Sequence, residues 1–165
     1  MAAVHQRSAR IWPRDIGYSC YAETTPADRA LEDRLSGLLH ALGWSGLFQL
    51  QMLRQDDGSS VAIDFNPRPY GSLALAIRAG ANLPAIWAAL VLGDPLPPTT
   101  SRPGVRYRLE TGDAKSIATL AASGQLRAAA QAAWPRRDTA HAIFSLRDPA
   151  PVSVLAFRAL ARLTG

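Results

Sequence analysis

Hydrophobic and polar residues alternate most clearly on either side of the sequence Asp56-Asp57-Gly58-Ser59. Alternation with a period of two is typical of a β-strand with one buried face, and an Asp-Gly pair between two such runs predicts a β-hairpin. We expect Asp57 and Gly58 to form a two-residue turn. That register assigns six residues to one apolar face: Phe48, Leu50, Met52, Val61, Ile63 and Phe65. A slip of one residue would mix the two faces, so the register is strongly specified.

The opposite face of the predicted hairpin carries oxygen-bearing side chains. In this register Gln51 lies opposite Asp64, and Gln49 lies opposite Asn66. Directly opposed residues of an antiparallel pair have Cβ atoms about 4.5–5.5 Å apart. Mg²⁺ binds carboxylate and amide oxygens and completes its shell with waters and substrate phosphates. The pattern therefore suits a metal site, although by itself it is more typical of the solvated face of an amphipathic hairpin.

Helical periodicity flanks the hairpin on both sides. Leucines repeat at helical spacing from Leu31 to Leu42, which predicts a core helix with a Thr cap near Thr25 and an end at Gly43. After the hairpin, the apolar run 72–79 predicts a buried helix, and Asn82 is expected to cap a further helix over 83–92. Residues 5–23 predict two short strands around a turn at 13–17.

A proline-rich segment at 94–100 divides the chain. Beyond it the pattern predicts a strand over 105–109, helices over 113–122 and 125–134, a strand over 140–145 and a closing helix from Pro151 to Leu163. We therefore predict an α+β fold with two domains. Residues 1–97 form an antiparallel sheet packed by helices, and residues 98–165 form a small α/β appendage.

The hairpin is followed by the sequence Pro67-Arg68-Pro69-Tyr70-Gly71-Ser72. Together with Gln51, Asp64 and Asn66, this segment resembles the C-terminal half of the ATP-grasp superfamily, and in particular carbamoyl-phosphate-synthetase-like carboxylate–amine ligases. Members carry an acid or Gln on one strand, a second strand that ends in acid-x-Asn, and often Pro-Arg-x-x-Gly-Ser before a helix. The resemblance extends over about the first hundred residues.

The resemblance implies a C-terminal ATP-grasp subdomain that uses ATP and Mg²⁺. Gln51, Asp64 and Asn66 would be the metal ligands and would contact the nucleotide through the ion. Arg68 would be the catalytic residue that steadies the transferred phosphoryl group, and Arg10 on the first strand would contact phosphate. The implied substrates are a small-molecule carboxylate, activated as an acyl phosphate, and an amine.

The family's phosphate-binding lysines come from a preceding subdomain, whereas no Lys occurs here before Lys115. The expected partner is therefore an ATP-grasp N-terminal half, in the same or another chain, and we expect no activity without it. The alternative is a non-catalytic interaction module, or remnant, that pairs with a partner through an exposed sheet edge.

Composition narrows the remaining possibilities. The net charge of +5 comes from 17 arginines and one lysine, but the arginines are scattered, so nucleic-acid binding ranks last. No apolar run is long enough to predict a membrane span or a signal peptide, so we expect a cytoplasmic protein without membrane association. The single cysteine, Cys20, excludes an internal disulfide and a multi-Cys metal site and is expected to be a reduced structural thiol.

Overall fold

The computed structural model describes residues 1–161 and confirms a mixed α+β fold. The described residues form six strands and six helices in this order: β1 (Gln6–Trp12), β2 (Tyr18–Thr24), α1 (Arg29–Ala41), β3 (Gln49–Arg54), β4 (Ser60–Asn66), α2 (Leu73–Ala79), α3 (Leu83–Leu92), β5 (Arg106–Arg108), α4 (Glu110–Ala122), α5 (Leu126–Ala133), β6 (Thr139–His141) and α6 (Ala150–Ala161).

Contacts between residues divide the chain into two compact units that are discontinuous in sequence. The first unit contains Met1–Gln6 and Thr24–Gly104, and the second contains Arg7–Glu23 and residues 105–161. Strands β1 and β2 thus belong almost entirely with the C-terminal segment, because β2 pairs with β5. The predicted boundary between 97 and 98 was based on the proline-rich segment, and as a statement about domains it stays a prediction.

Helix α1 of the first unit begins and ends at identifiable residues. Its cap is Asp28, whose Oδ1 accepts a hydrogen bond of 3.0 Å from the amide of Leu31, so the predicted Thr cap is wrong. Gly43 follows the helix with a φ of 62° and confirms the predicted stop. Among the leucines assigned to the core, Leu39 is buried, whereas Leu38 and Leu42 are exposed.

Helices α2 and α3 supply most of the first unit's buried residues: Leu75, Ala76, Ala79, Ile86 and Ala89. The side chain of Asn82 caps α3 by accepting from the amide of Ala85, as predicted. Over the described chain, no single helix has the length and apolar character of a membrane span. Helices α2 and α3 have that length and apolar character only when taken as a pair, and the pair is bent by 85°.

The second unit is built on a four-stranded sheet in the order β1-β2-β5-β6. Strands β2 and β5 are antiparallel, whereas β5 and β6 are parallel. The buried apolar side chains include Cys20, Ala22, Val105, Tyr107 and Ala140. Burial raises the pKa of the Cys20 thiol, with a smaller contribution from Asp113. This agrees with the structural role predicted for Cys20.

Helix α4 begins three residues earlier than predicted, at Glu110, and Asp113 is a buried residue of its first turn. Gly112 packs directly on β2, since a Cβ at this position would lie 2.9 Å from the Cβ of Cys20. Helix α6 begins at Ala150, and the last two residues of the helix predicted to run to Leu163 lie outside the described residues.

Candidate functional site

The hairpin β3–β4 has the predicted register at the proposed ligands. Gln51 pairs with Asp64, and Gln49 pairs with Asn66. Both pairs lie at the end of the hairpin remote from the turn, next to the segment that leads into α2. The alternating sequence therefore brings these four polar side chains together on neighbouring strands.

The turn itself differs from the prediction. The amide of Gln55 donates to the carbonyl of Ser59 at 2.9 Å, so the loop contains three residues, Asp56 to Gly58, and Gly58 has a φ of 83°. This is the arrangement in which a left-handed glycine closes a three-residue hairpin. A register shift between Gln51 and Met52 compensates for the extra loop residue. The bulge opposite this step leaves Ile63 unpaired and restores the predicted pairing at Asp64.

Hydrogen bonding orients the proposed ligands. The Asn66 amide nitrogen donates to Oδ2 of Asp64, which turns the amide group toward the carboxylate and leaves both Asn66 Oδ1 and Asp64 Oδ1 as acceptors. Gln51 and Asp64 are exposed to solvent. The donor set is one carboxylate and neutral amide oxygens, which matches the preference of Mg²⁺ for hard oxygen ligands.

One carboxylate is a weak metal site by itself. Within residues 1–161, no group of three His, Cys, Asp or Glu side chains is placed to hold a metal ion. Ligand charge helps to set the affinity for a divalent cation, and Mg²⁺ in nucleotide sites takes part of its shell from phosphates and water. The hairpin therefore fits an ion that arrives with a nucleotide better than a resident metal.

Arg68 lies directly beyond the hairpin on a tight turn. Its amide donates to the carbonyl of Asn66 at 2.9 Å, and its Nη1 donates to the carbonyl of Pro69 at 3.2 Å. The side chain is exposed. Two residues farther on, burial raises the pKa of Tyr70 to about 12, and the hydroxyl of Ser72 is hydrogen-bonded to the side-chain amide of Gln6. The backbone around Arg68 is anchored while its guanidinium stays accessible.

The apolar face of the hairpin is only partly covered. Phe65 stacks on Phe48 with ring centroids 5.5 Å apart and meets the edge of Trp44 at 5.9 Å. Near the turn, Leu53 pairs with Val61 on the same face as Gln51 and Asp64, and both are exposed. None of the six residues assigned to the apolar face is buried, so the predicted buried face is wrong: Phe48, Leu50 and Met52 are half-buried, and Val61, Ile63 and Phe65 are exposed.

Arg10 lies in the second unit, in a network that sequence reasoning missed. Its Nε donates to Oδ1 of Asp113 at 2.7 Å, and its guanidinium carbon lies 4.0 Å from the ring centroid of Tyr21. The Nε of Arg108 is 2.9 Å from the other carboxylate oxygen of Asp113, whose side chain is 1% exposed. Two arginines thus share one buried carboxylate. The alternating arginines of β5 were visible in the sequence, but their partner on α4 was not, and the assignment of Arg10 to phosphate stays a prediction.

A protein-family model described as "ATP-grasp in the biosynthetic pathway with Ter operon" matches residues 1–113, more than half of the chain. The chain belongs to this ATP-grasp family. The match includes β3, β4 and the Asn-Pro-Arg segment, and it confirms the ATP-grasp assignment made from the sequence. ATP-grasp proteins are ligase-type modules that generally use ATP and Mg²⁺. Neither the comparison with curated proteins nor that with solved structures gave a match.

Proposed function

We propose that this chain is the ATP- and Mg²⁺-binding half of an ATP-grasp ligase that activates a carboxylate as an acyl phosphate for attack by an amine. The observation that carries the proposal is the pairing of Gln51 with Asp64 and of Gln49 with Asn66, on an ATP-grasp hairpin that leads directly to Arg68. Hard oxygen ligands and an accessible guanidinium are the groups that phosphoryl transfer requires.

The polar groups have two roles in this proposal, metal binding and contact with the phosphoryl group. Gln51, Asp64 and Asn66 hold Mg²⁺, which when bound neutralises charge on the nucleotide's phosphates. Arg68 presents a planar set of donors that matches the oxygens of a phosphoryl group. Turning toward a phosphate costs Arg68 only one solvent-exposed hydrogen bond to Pro69.

The proposal includes a second protein component, an ATP-grasp N-terminal half in the same or another chain. Two features of the first unit support it. Among the described residues the sheet β3–β4 has two strands, and it exposes the apolar side chains of Leu53, Val61 and Ile63. A two-stranded sheet is marginally stable in water unless another layer covers it, and a covering layer would also exclude water from the proposed phosphate site.

The metal ligands can be tested without turnover by NMR, using paramagnetic Mn²⁺ together with ATP on the purified chain. We expect Mn²⁺–ATP to broaden the backbone amide signals of Gln51, Asp64 and Asn66 before others. Asp64→Asn should weaken this effect by about tenfold, because it removes the one carboxylate of the set. The fold should be unchanged, since Asp64 is exposed.

Asp57→Asn is the matched control for that experiment. Asp57 is an exposed carboxylate of the same hairpin, but it lies in the loop, where its side chain accepts from the amide of Ser59. Broadening centred on Asp57, or an equal loss in both variants, would show that Mn²⁺ binds hairpin carboxylates without selectivity. The metal assignment would then be wrong.

The competing function is a non-catalytic interaction module, which the exposed residues near the turn also favour. In that case Leu53 and Ile63 contact a partner, while Gln51 and Asp64 bind no ligand. The two functions separate under Asp64→Asn and Ile63→Asp. A ligase half loses metal–nucleotide binding with the first variant, whereas an interaction module loses partner binding with the second and has no Mn²⁺–ATP response to lose.

A further inference from the structure

A cavity of about 340 Å³ lies in the second unit, between strand β1 with its following loop and one face of helix α4. We call it the α4 groove. Its α4 wall is formed by Ser116, Thr119, Leu120 and Ser123, which recur at helical spacing. Small side chains at three of these four positions leave the groove open. Its volume lies within the range of small-molecule sites, about 300–1,000 Å³.

Positive charge predominates around the α4 groove. Arg10 and Arg14 line it, opposed by the single carboxylate of Asp15. Arg10 is 20% exposed, and the buried carboxylate that it contacts, Asp113, is shared with Arg108. The residues that line the groove or contact Arg10 through Asp113 thus include three arginines and two carboxylates. The cluster therefore carries an excess positive charge in a partly buried place, where a bound anion would be stabilised more than at the open surface.

The donors and the apolar wall suit different parts of one ligand. Arg10 is held in place by Asp113 and by the ring of Tyr21, so little side-chain entropy remains to be lost on binding. Arg14 lies on the exposed rim, and Ser116 lines the groove from α4. Ile11, Trp12 and Leu120 form an apolar surface in the same cavity.

We propose that the α4 groove binds a small organic anion whose phosphate or carboxylate group contacts Arg10 and Arg14 and whose apolar body rests against Trp12 and Leu120. Charge-assisted hydrogen bonds to a guanidinium fix the head group, and burial of the body adds affinity in proportion to the apolar area removed from water. The inference needs neither the hairpin nor ATP. It therefore stands or falls separately from the proposed ligase function.

Titration of the full chain with phenyl phosphate, followed by the indole N–H signals of its four tryptophans, tests the proposal. We expect the Trp12 signal to shift and saturate while those of Trp44, Trp87 and Trp134 stay in place, because only Trp12 lines the groove. Benzoate places a carboxylate on the same ring, and saturable binding of either compound supports the site. Inorganic phosphate, which lacks the apolar body, should bind at least about tenfold more weakly than phenyl phosphate.

Two variants localise the binding. Arg14→Gln removes a rim donor and should weaken binding by about tenfold, while the matched control Arg127→Gln, at an exposed arginine of α5, should leave it unchanged. Ser116→Leu fills the groove without changing charge and should abolish binding. Its control, Ala118→Leu, adds the same bulk on the exposed opposite face of α4.

Three results would overturn the proposal. One is the absence of a saturable Trp12 shift with both phenyl phosphate and benzoate. Another is an equal response of all four indoles, which would indicate non-specific attraction to a basic protein. The third is an unchanged affinity in both Arg14→Gln and Ser116→Leu, since each variant removes a different part of the same site.

Discussion

Asp113 is buried between Arg10 and Arg108 and receives charge-assisted contacts from both. Removing the shared partner of two partly buried guanidinium groups leaves positive charges that repel each other and are poorly hydrated. Breaking a buried ion pair from one side typically costs about 3–5 kcal/mol. We therefore expect Asp113→Ala to lower the free energy of unfolding by about 3 kcal/mol, measured by urea denaturation.

Asp33→Ala is the control for Asp113→Ala, because Asp33 is an exposed carboxylate on α1. Its effect should be within about 0.5 kcal/mol. An equally small effect at Asp113 would mean that Arg10 and Arg108 find other partners or water. The network would then contribute nothing to stability.

Arg68 requires a different kind of test, because its proposed contact strengthens as charge develops on the transferred group. In an enzyme assembled with the proposed N-terminal half, Arg68→Lys should lower kcat by at least about tenfold, since the charge is kept but the planar set of donors is lost. The KM for ATP should change by less than about threefold. Steady-state kinetics separates the two parameters.

The control for Arg68 must itself be a free surface arginine. Arg106 and Arg108 are unsuitable, because they contact Glu23 and Asp113. Arg54, exposed at the far end of β3, keeps the substitution on the same hairpin. Similar losses of kcat in Arg54→Lys and Arg68→Lys would show that general positive charge, rather than a phosphate-directed arginine, supports turnover.

At the scale of elements, two helical glycines have opposite surroundings. A Cβ atom added to Gly37 in α1 would meet no other atom within 4 Å, whereas a Cβ added to Gly112 in α4 would lie 2.9 Å from the Cβ of Cys20. Alanine is a better helix former than glycine by up to about 1 kcal/mol. Gly37→Ala should therefore raise the free energy of unfolding by about 0.5–1 kcal/mol.

Gly112→Ala should instead lower the free energy of unfolding. Overpacking costs about 1–3 kcal/mol, which outweighs the gain in helix propensity because strand β2 holds Cys20 in place. Far-UV circular dichroism in a urea titration measures both variants. If both are stabilised, α4 does not pack closely on β2, and the position of its first turn in the fold is wrong.

The hairpin shows which features local sequence patterns can predict and which they cannot. The pairing of Gln51 with Asp64 was predictable because one face is apolar and the other polar. The three-residue loop and its compensating bulge were not, since two irregularities that cancel leave the alternation near the ligands unchanged. The cap of α1 was misassigned because Thr25 and Asp28 are both acceptable capping residues within four positions.

Sequence periodicity could not predict the contacts between residues that are far apart in the chain. Arg10 and Asp113 are 103 residues apart in sequence, and nothing in either segment indicates that they meet. The pairing of β2 with β5 depends likewise on which strand edges are free once the units form. The family resemblance supplied the proposed ligand positions on the hairpin, but it placed Arg10 without regard to Asp113.

At the scale of the whole molecule, the exposure of the proposed phosphate site matters most. Gln51, Asp64 and Arg68 are all exposed, and so are the apolar residues near the turn. Phosphoryl transfer depends on positioning from several sides and on a site from which water is excluded. We therefore expect the purified 165-residue chain to release no ADP from Mg²⁺–ATP above the rate without protein.

The second part of this prediction is that activity appears when the chain is complemented. Adding a lysine-bearing ATP-grasp N-terminal half that binds the chain should produce ADP release that depends on Mg²⁺ and on a carboxylate substrate, because phosphate-binding groups then face the hairpin across the nucleotide. The activity should disappear with Asp64→Asn and persist with Asp57→Asn. Mg²⁺-dependent ADP release by the chain alone would show that the hairpin and Arg68 suffice, and would contradict the requirement for a second half. A stable complex that remains inactive with every carboxylate tested would instead favour the interaction module, whose partner contacts use the exposed residues Leu53 and Ile63 and require no metal or nucleotide at Gln51 and Asp64.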